Sequence, residues 1–277
     1  MQFTFPVDAV EVTVASGEVT PLLLPELSRR YLQISEKEAI IHVANVASYK
    51  VSNGNRVEVF PCKQTDPASI QLFLNGSALG AILHQRGVIP FHGSSFVWNG
   101  TGVMICGGSG AGKSSVATAF CRQGARLIND DVTPVQIVGA EPMLVPIRTR
   151  MKLWDDTLST LQLEAVSKER IRPQLTKYYI DLPDTCQSEH PLQYLFILET
   201  HQKESLPISV LSGVEKFNAL RMQIYRKLYL KGMPRTAQHY FAQLFRLASN
   251  IRVIRVVRPK NCPVNEVVQS ICNVLEG

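Results

Sequence analysis

Gly107-Gly108-Ser109-Gly110-Ala111-Gly112-Lys113-Ser114 spells G-x-x-x-x-G-K-S in full, and its surroundings decide the fold. The apolar run Val103-Met104-Ile105-Cys106 before it reads as a buried strand, and Ser115-Val116-Ala117-Thr118-Ala119-Phe120 after it reads as a helix. Strand, glycine loop and helix in that order turn successive backbone N–H groups toward one point, which the positive end of the helix dipole also faces. Lys113 adds a full charge, so a polyphosphate is the expected ligand. The Ser114 hydroxyl stands where such loops hold Mg²⁺.

Outward from the loop, Gly124 reads as the helix stop, and Ala125 to Asn129 as a short strand ending in Asp130-Asp131. A right-handed crossover is expected to set this strand beside the first, with both carboxylates at its carboxyl end next to the loop. Adjacent like charges near a phosphate site are costly unless a cation sits between them. One carboxylate is therefore expected to hold Mg²⁺ while the other accepts a proton from an attacking hydroxyl.

Phe91-His92-Gly93, the hairpin beyond it, the loop from Gly107 to Ser115 and Leu127-Ile128-Asn129-Asp130-Asp131 together resemble the catalytic domain of HPr serine kinase/phosphorylase and its relatives. Those relatives include the HPr-kinase-like enzymes of peptide natural-product clusters. Pro25-Glu26-Leu27 and Met151-Lys152-Leu153-Trp154 look like features of that branch. The resemblance implies an α/β fold with a P-loop kinase core of the HPr kinase and phosphoenolpyruvate carboxykinase type, ATP and Mg²⁺ as cofactors, and a serine of a peptide or protein as acceptor. Carried over, Gly107, Gly108, Ser109, Gly110, Ala111, Gly112, Lys113, Ser114 and Ser115 would bind the nucleotide, and Ser114 and Asp131 the metal. Asp130 would be the base for the acceptor hydroxyl, supported by Asp131, His92 and Lys113. A homo-oligomer is compatible with the family. No second R-G-L-G stretch follows Asp131, so neither phosphorylase activity nor HPr itself as substrate is implied. A nucleotide-binding scaffold without transfer, or a kinase for a small hydroxylated metabolite, would use the same residues. A GTPase switch lacks support, because no N-K-x-D guanine-reading motif occurs.

The 277 residues, 45% hydrophobic and 19% charged, suit a globular protein. The net charge of +6 is uneven: residues 201–260 hold twelve Lys or Arg against Glu204 and Glu215 alone. Without an arginine run, zinc pattern or aromatic RNA-binding motif, nucleic acid is not the expected partner. The six cysteines form no C-x-x-C pair and read as reduced thiols. With no signal-like N-terminus and no long apolar run, the expectation is a cytoplasmic address with no membrane partner.

Along the chain, residues 1–64 read as a small β-rich lobe and 65–277 as the catalytic domain, with Leu22 to Arg30 as a helical turn or two. Asp66 and Pro67 open a packing helix that runs to Arg86. Asn99-Gly100 marks a hairpin. After the aspartates, Arg148, Arg150 and Lys152 are candidate phosphate contacts, Arg148 and Lys152 foremost. Helices are expected over 156–170, 214–231, 237–248 capped by Thr236, and 265–275, with strands at 177–181, 194–199 and 251–257. The polar stretch 168–177 reads as a loop able to close over the acceptor.

Overall fold

The computed structural model describes residues 3–148, 150–160, 169–173, 175–181 and 184–277. It divides into two compact units, one of residues 1–90, 170–175 and 224–243, the other of residues 91–169, 176–223 and 244–277.

In the first unit, β1 (Glu11–Val14), β2 (Leu27–Arg29), β3 (Leu32–Ile34), β4 (Glu38–Val43), β5 (Ala47–Ser52) and β6 (Arg56–Pro61) make one sheet in the order β1-β6-β5-β4-β3-β2. Period-two alternation buries Tyr49, Val51, Val57 and Val59 on its core face. The helical turn expected over Leu22 to Arg30 is absent. Its end is the edge strand β2, held antiparallel to β3 with Leu27 opposite Ile34, so strand pairing overrides local propensity. Helix α1 (Pro67–Phe73) begins as expected, with Asp66 accepting from the Ser69 N–H at 2.7 Å. A π-helical turn, Leu74–Ala78, then separates it from α2 (Leu79–Gln85). Apolar spacing over 66–86 reads as one helix because a single widened turn barely disturbs the period.

The strand β7 (Ile89–Phe91) leads into the second unit. There follow β8 (Gly93–Trp98), β9 (Thr101–Gly107), α3 (Lys113–Arg122), β10 (Arg126–Asn129), β11 (Thr133–Val138), β12 (Glu141–Leu144) and β13 (Met151–Trp154). Next come α4 (Asp155–Thr160), β14 (Lys177–Ile180), β15 (His190–Pro191), β16 (Tyr194–His201), β17 (Ile208–Val210) and α5 (Gly213–Met222). The chain ends with α6 (Pro234–Asn250), β18 (Arg252–Pro259) and α7 (Val264–Glu276). The central sheet has the order β10-β8-β9-β16-β18-β17, with β16 parallel to both β9 and β18. Phe96, Val103, Ile105 and Phe196 from the sheet pack against Val116, Phe120 and Ile271 from the helices in one core.

Several expectations are corrected. The strand that leads into the aspartates, β10, does not pair with β9, because the hairpin at Asn99 and Gly100, both at positive φ, folds β8 onto that edge. The helix expected to reach residue 231 stops at Met222, and a left-handed Arg226 separates it from a 3₁₀ turn, Lys227–Gly232. Pro234, which looks like a stop, opens α6. Thr236 does not cap that helix. Glu36 does so from the turn between β3 and β4, accepting from the Arg235 and Thr236 N–H groups at 3.2 and 2.7 Å. Of the helix expected over 156–170, α4 is the described part, and residues 161–168 lie outside the described residues. Among the described residues no helix is long and apolar enough to cross a membrane.

Candidate active site

The loop between β9 and α3 is built on left-handed backbone at Gly107, Gly110 and Gly112. At Gly107, with φ of 142°, a β-carbon would lie 2.4 Å from the Leu198 carbonyl oxygen, so the strand-to-loop corner admits only glycine. Lys113 is buried, and its ammonium donates to the Gly107 and Gly108 carbonyls at 3.0 Å each. Burial pulls its pKa down, against the opposing pull of Cys106, Asp131 and Asp130.

The carboxylates reach the loop through an irregular strand. Pairing of β10 with β8 shifts register between Leu127 and Asn129, a bulge that re-aims the residues beyond it. Asp130 Oδ1 then accepts from Ser114 Oγ at 2.9 Å and from Ser94 Oγ at 2.6 Å, while Oδ2 accepts from the Lys152 backbone N–H at 2.9 Å. Asp131 has φ of 71°, and the Val132 N–H donates back to the Asp130 carbonyl at 2.9 Å, closing a γ-turn around a non-glycine residue. Such a conformation costs about 1–3 kcal/mol and concentrates at functional sites.

Asp131 faces a cation. Its Oδ2 accepts from Lys152 Nζ at 2.8 Å. Burial alone would raise the Asp131 pKa, yet the Lys152 ammonium, with help from His92 and Lys177, holds it well below the usual carboxylate range. In turn, burial disfavours charged Lys152, and Asp131 more than reverses this. His92 Nδ1 donates to the Asp131 carbonyl at 2.9 Å, which leaves Nε2 as the unprotonated nitrogen of the neutral ring. Burial and Lys113 push the His92 pKa down, so the neutral form is favoured. Gly93 follows because a side chain there would strike the Ile105 carbonyl at 2.6 Å, where β8 crowds β9.

The structure thus brings Ser114, Asp130, Asp131, His92 and Lys152 into one hydrogen-bonded group, while Lys113, bonded to the Gly107 and Gly108 carbonyls, joins it through charge. Gly108, Ser109 and Gly110 stand exposed above it, and Ala111, Gly112 and Ser115 complete the loop. Arg148 is exposed on the segment entering β13. Arg150 is tied to Asp181 at 2.8 Å and to Glu169, and lies over the Tyr179 ring. Two contributors escaped the sequence reading. Ser94 is hidden in an apolar strand, one residue past Gly93. Arg258 is the penultimate residue of β18, where its Nε donates to the Ala111 carbonyl at 3.1 Å and its Nη1 to the Cys262 carbonyl at 3.3 Å. Its place at the carboxyl end of a parallel strand was the available signal.

Oxygen donors from Ser114 and Asp130 suit Mg²⁺, which is commonly held by one or two protein oxygens together with substrate phosphates. Among the described residues there is no cluster of three or more His, Cys, Asp or Glu side chains able to hold a metal by itself.

No family model matches the chain. The HPr kinase/phosphorylase of Geobacter sulfurreducens is 33% identical over 119 residues, covering 38% of this chain and 37% of that protein. The chain therefore matches well under half the length of this curated relative. The solved Hpr(Ser) kinase/phosphatase of Coxiella burnetii aligns with a TM-score of 0.37 and 15% identity, over 68% of this chain and 99% of that one, which is too loose to bear on the fold. Over those 119 residues the chain is similar in sequence to a curated HPr kinase/phosphorylase, the family that its loop and paired aspartates resemble.

Proposed function

We propose that the chain is an ATP- and Mg²⁺-dependent kinase that transfers the γ-phosphoryl group to a serine-type hydroxyl of a peptide or protein. The observation that carries this reading is the 2.9 Å bond from Ser114 Oγ to Asp130 Oδ1, which ties the phosphate loop to the paired carboxylates. Phosphoryl transfer asks little covalent chemistry of a protein; positioning and charge neutralisation do most of it.

The loop N–H groups and Lys113 would bind the phosphates. Ser114 and Asp130 would hold Mg²⁺, which supplies charge neutralisation at the transferring group. Asp130 is 1% exposed and already accepts three hydrogen bonds, so an incoming alcohol has little access to it. The Asp131 side chain is 30% exposed, which favours it as the group that orients the acceptor hydroxyl and takes its proton. This division exchanges the roles expected from the sequence. Lys152 would steady Asp131 and offset charge on the phosphoryl oxygens, and neutral His92 would hold the turn through the Asp131 carbonyl.

The test is incubation of the purified chain with γ-labelled ATP, Mg²⁺ and serine-bearing peptides. Label on a serine supports the reading. Nucleotide binding with neither transfer nor hydrolysis would make the chain a scaffold and overturn it. Asp131→Asn should keep nucleotide affinity within about twofold and lower transfer at least ~100-fold, the usual scale of general base loss.

A further inference from the structure

Lys152 belongs to a two-stranded ribbon whose other face is core. Residues Met151 and Leu153 of β13 and Tyr178 of β14 are buried against α3. Alternation puts Lys152 and Trp154 on the opposite face, and the pairing of Lys152 with Tyr179 and of Trp154 with Lys177 adds those two side chains to it. At one end of this face Lys152 meets Asp131. At the other, Trp154 is 45% exposed with Lys177 Nζ 5.6 Å from its ring centroid. An exposed indole flanked by an ammonium is an unusual thing to leave at the rim of a phosphate site.

The ribbon's direction along the loop is fixed at two points. The Lys152 N–H bonds to Asp130, which bonds to Ser114, the metal end of the loop. Just past Trp154, in α4, Thr157 Oγ1 lies 3.5 Å from Ser115 Oγ in the first turn of α3, on the nucleoside side of Ser114 if the loop N–H groups cradle the α- and β-phosphates. The step from Lys152 to Trp154 is thus a step from the terminal phosphate toward the nucleoside.

We propose that the Trp154 ring, backed by Lys177, is the platform on which the base of the bound nucleotide stacks. The inference rests on the nucleotide reading of the loop and adds to it the means of holding the base. Stacking on an aromatic ring tolerates any base, so the platform would supply affinity rather than a choice among nucleotides.

The probes are ADP and inorganic tripolyphosphate, which share phosphates and differ in the base. ADP should quench tryptophan emission in the full chain, whose other tryptophan, Trp98, is packed edge-on against Phe120. Trp154→Ala should weaken ADP binding ~10-fold, as loss of one stacked base does, and leave tripolyphosphate affinity unchanged; Trp154→Phe should restore most of it. ADP affinity unchanged in Trp154→Ala overturns the platform, as does an equal loss for tripolyphosphate, which would mean the ring acts through the loop. Failure of both probes to bind the unaltered protein overturns the phosphate-loop reading and the platform with it.

Discussion

The Ser114 hydroxyl and the Asp130 carboxylate, sixteen residues apart, are joined by a 2.9 Å hydrogen bond across the gap between the phosphate loop and β10. If these two oxygens hold the metal, removing either should strike metal dependence before nucleotide contact. Ser114→Ala and Asp130→Asn are expected to bind ADP without Mg²⁺ as the unaltered protein does, and to lose most of the gain in affinity that Mg²⁺ gives. Calorimetric titration with and without Mg²⁺ reads this directly, and a full gain in both variants would contradict the assignment.

Asp131 and Lys152 test the electrostatics of the site apart from its activity. The Lys152 side chain is only 9% exposed, so Asp131→Asn strands a desolvated ammonium and should cost about 3 kcal/mol, the low end for a buried pair because the Asp131 side chain is 30% exposed. Lys152→Met in that background removes the orphan charge and should recover part of the loss. Urea unfolding of the two single variants and the double variant gives the coupling, and additive losses would mean that the 2.8 Å pair contributes no net energy.

What could be read in advance follows a physical divide. The loop, its flanking strand and helix, the Asn99-Gly100 hairpin and the Asp66 cap were legible because each is local, fixed by residues within a few positions of one another. Contacts between distant segments were not. Nothing near Ser94 says that it will donate to Asp130, and nothing near Thr236 says that Glu36 will cap its helix. The intrusion of β8 between β9 and β10 is a choice among sheet orders that apolar patterning leaves open. Lys152 reads from the sequence only as a candidate phosphate contact, and its pairing with Asp131 depends on the β13–β14 ribbon lying against α3.

Arg258 should act as a clamp on the loop. Its guanidinium bridges the Ala111 and Cys262 carbonyls and lies 3.3 Å from where a Gly112 side chain would begin. Arg258→Ala removes charge-assisted bonds each worth about 1.5–3 kcal/mol to a preformed loop, so nucleotide affinity should fall roughly tenfold or more. Arg258→Lys keeps the charge but not the fork and should recover little. Full affinity in Arg258→Ala would show that the loop holds its shape unaided.

His84 gives the fold a pH dependence that can be worked out with its sign. The imidazole is fully buried: Nε2 donates to the Tyr225 carbonyl at 3.0 Å, and Nδ1 lies 3.2 Å from a Tyr240 hydroxyl whose proton goes to the Val88 carbonyl at 2.6 Å. Burial, opposed by the Tyr225 hydrogen bond, pushes its pKa from 6.5 down to about 4. Between those values the unfolded chain binds a proton that the folded one refuses, so stability falls as pH falls. Over the whole window the loss attributable to this residue is about 3 kcal/mol, at 1.36 kcal/mol per pKa unit. His92, also pulled down, contributes in the same direction. His84→Phe abolishes the titration, and whatever its baseline stability, the slope of unfolding free energy between pH 6.5 and 4 should be shallower than in the unaltered protein. An unchanged slope would mean that His84 is protonated as readily in the folded chain as in the unfolded one.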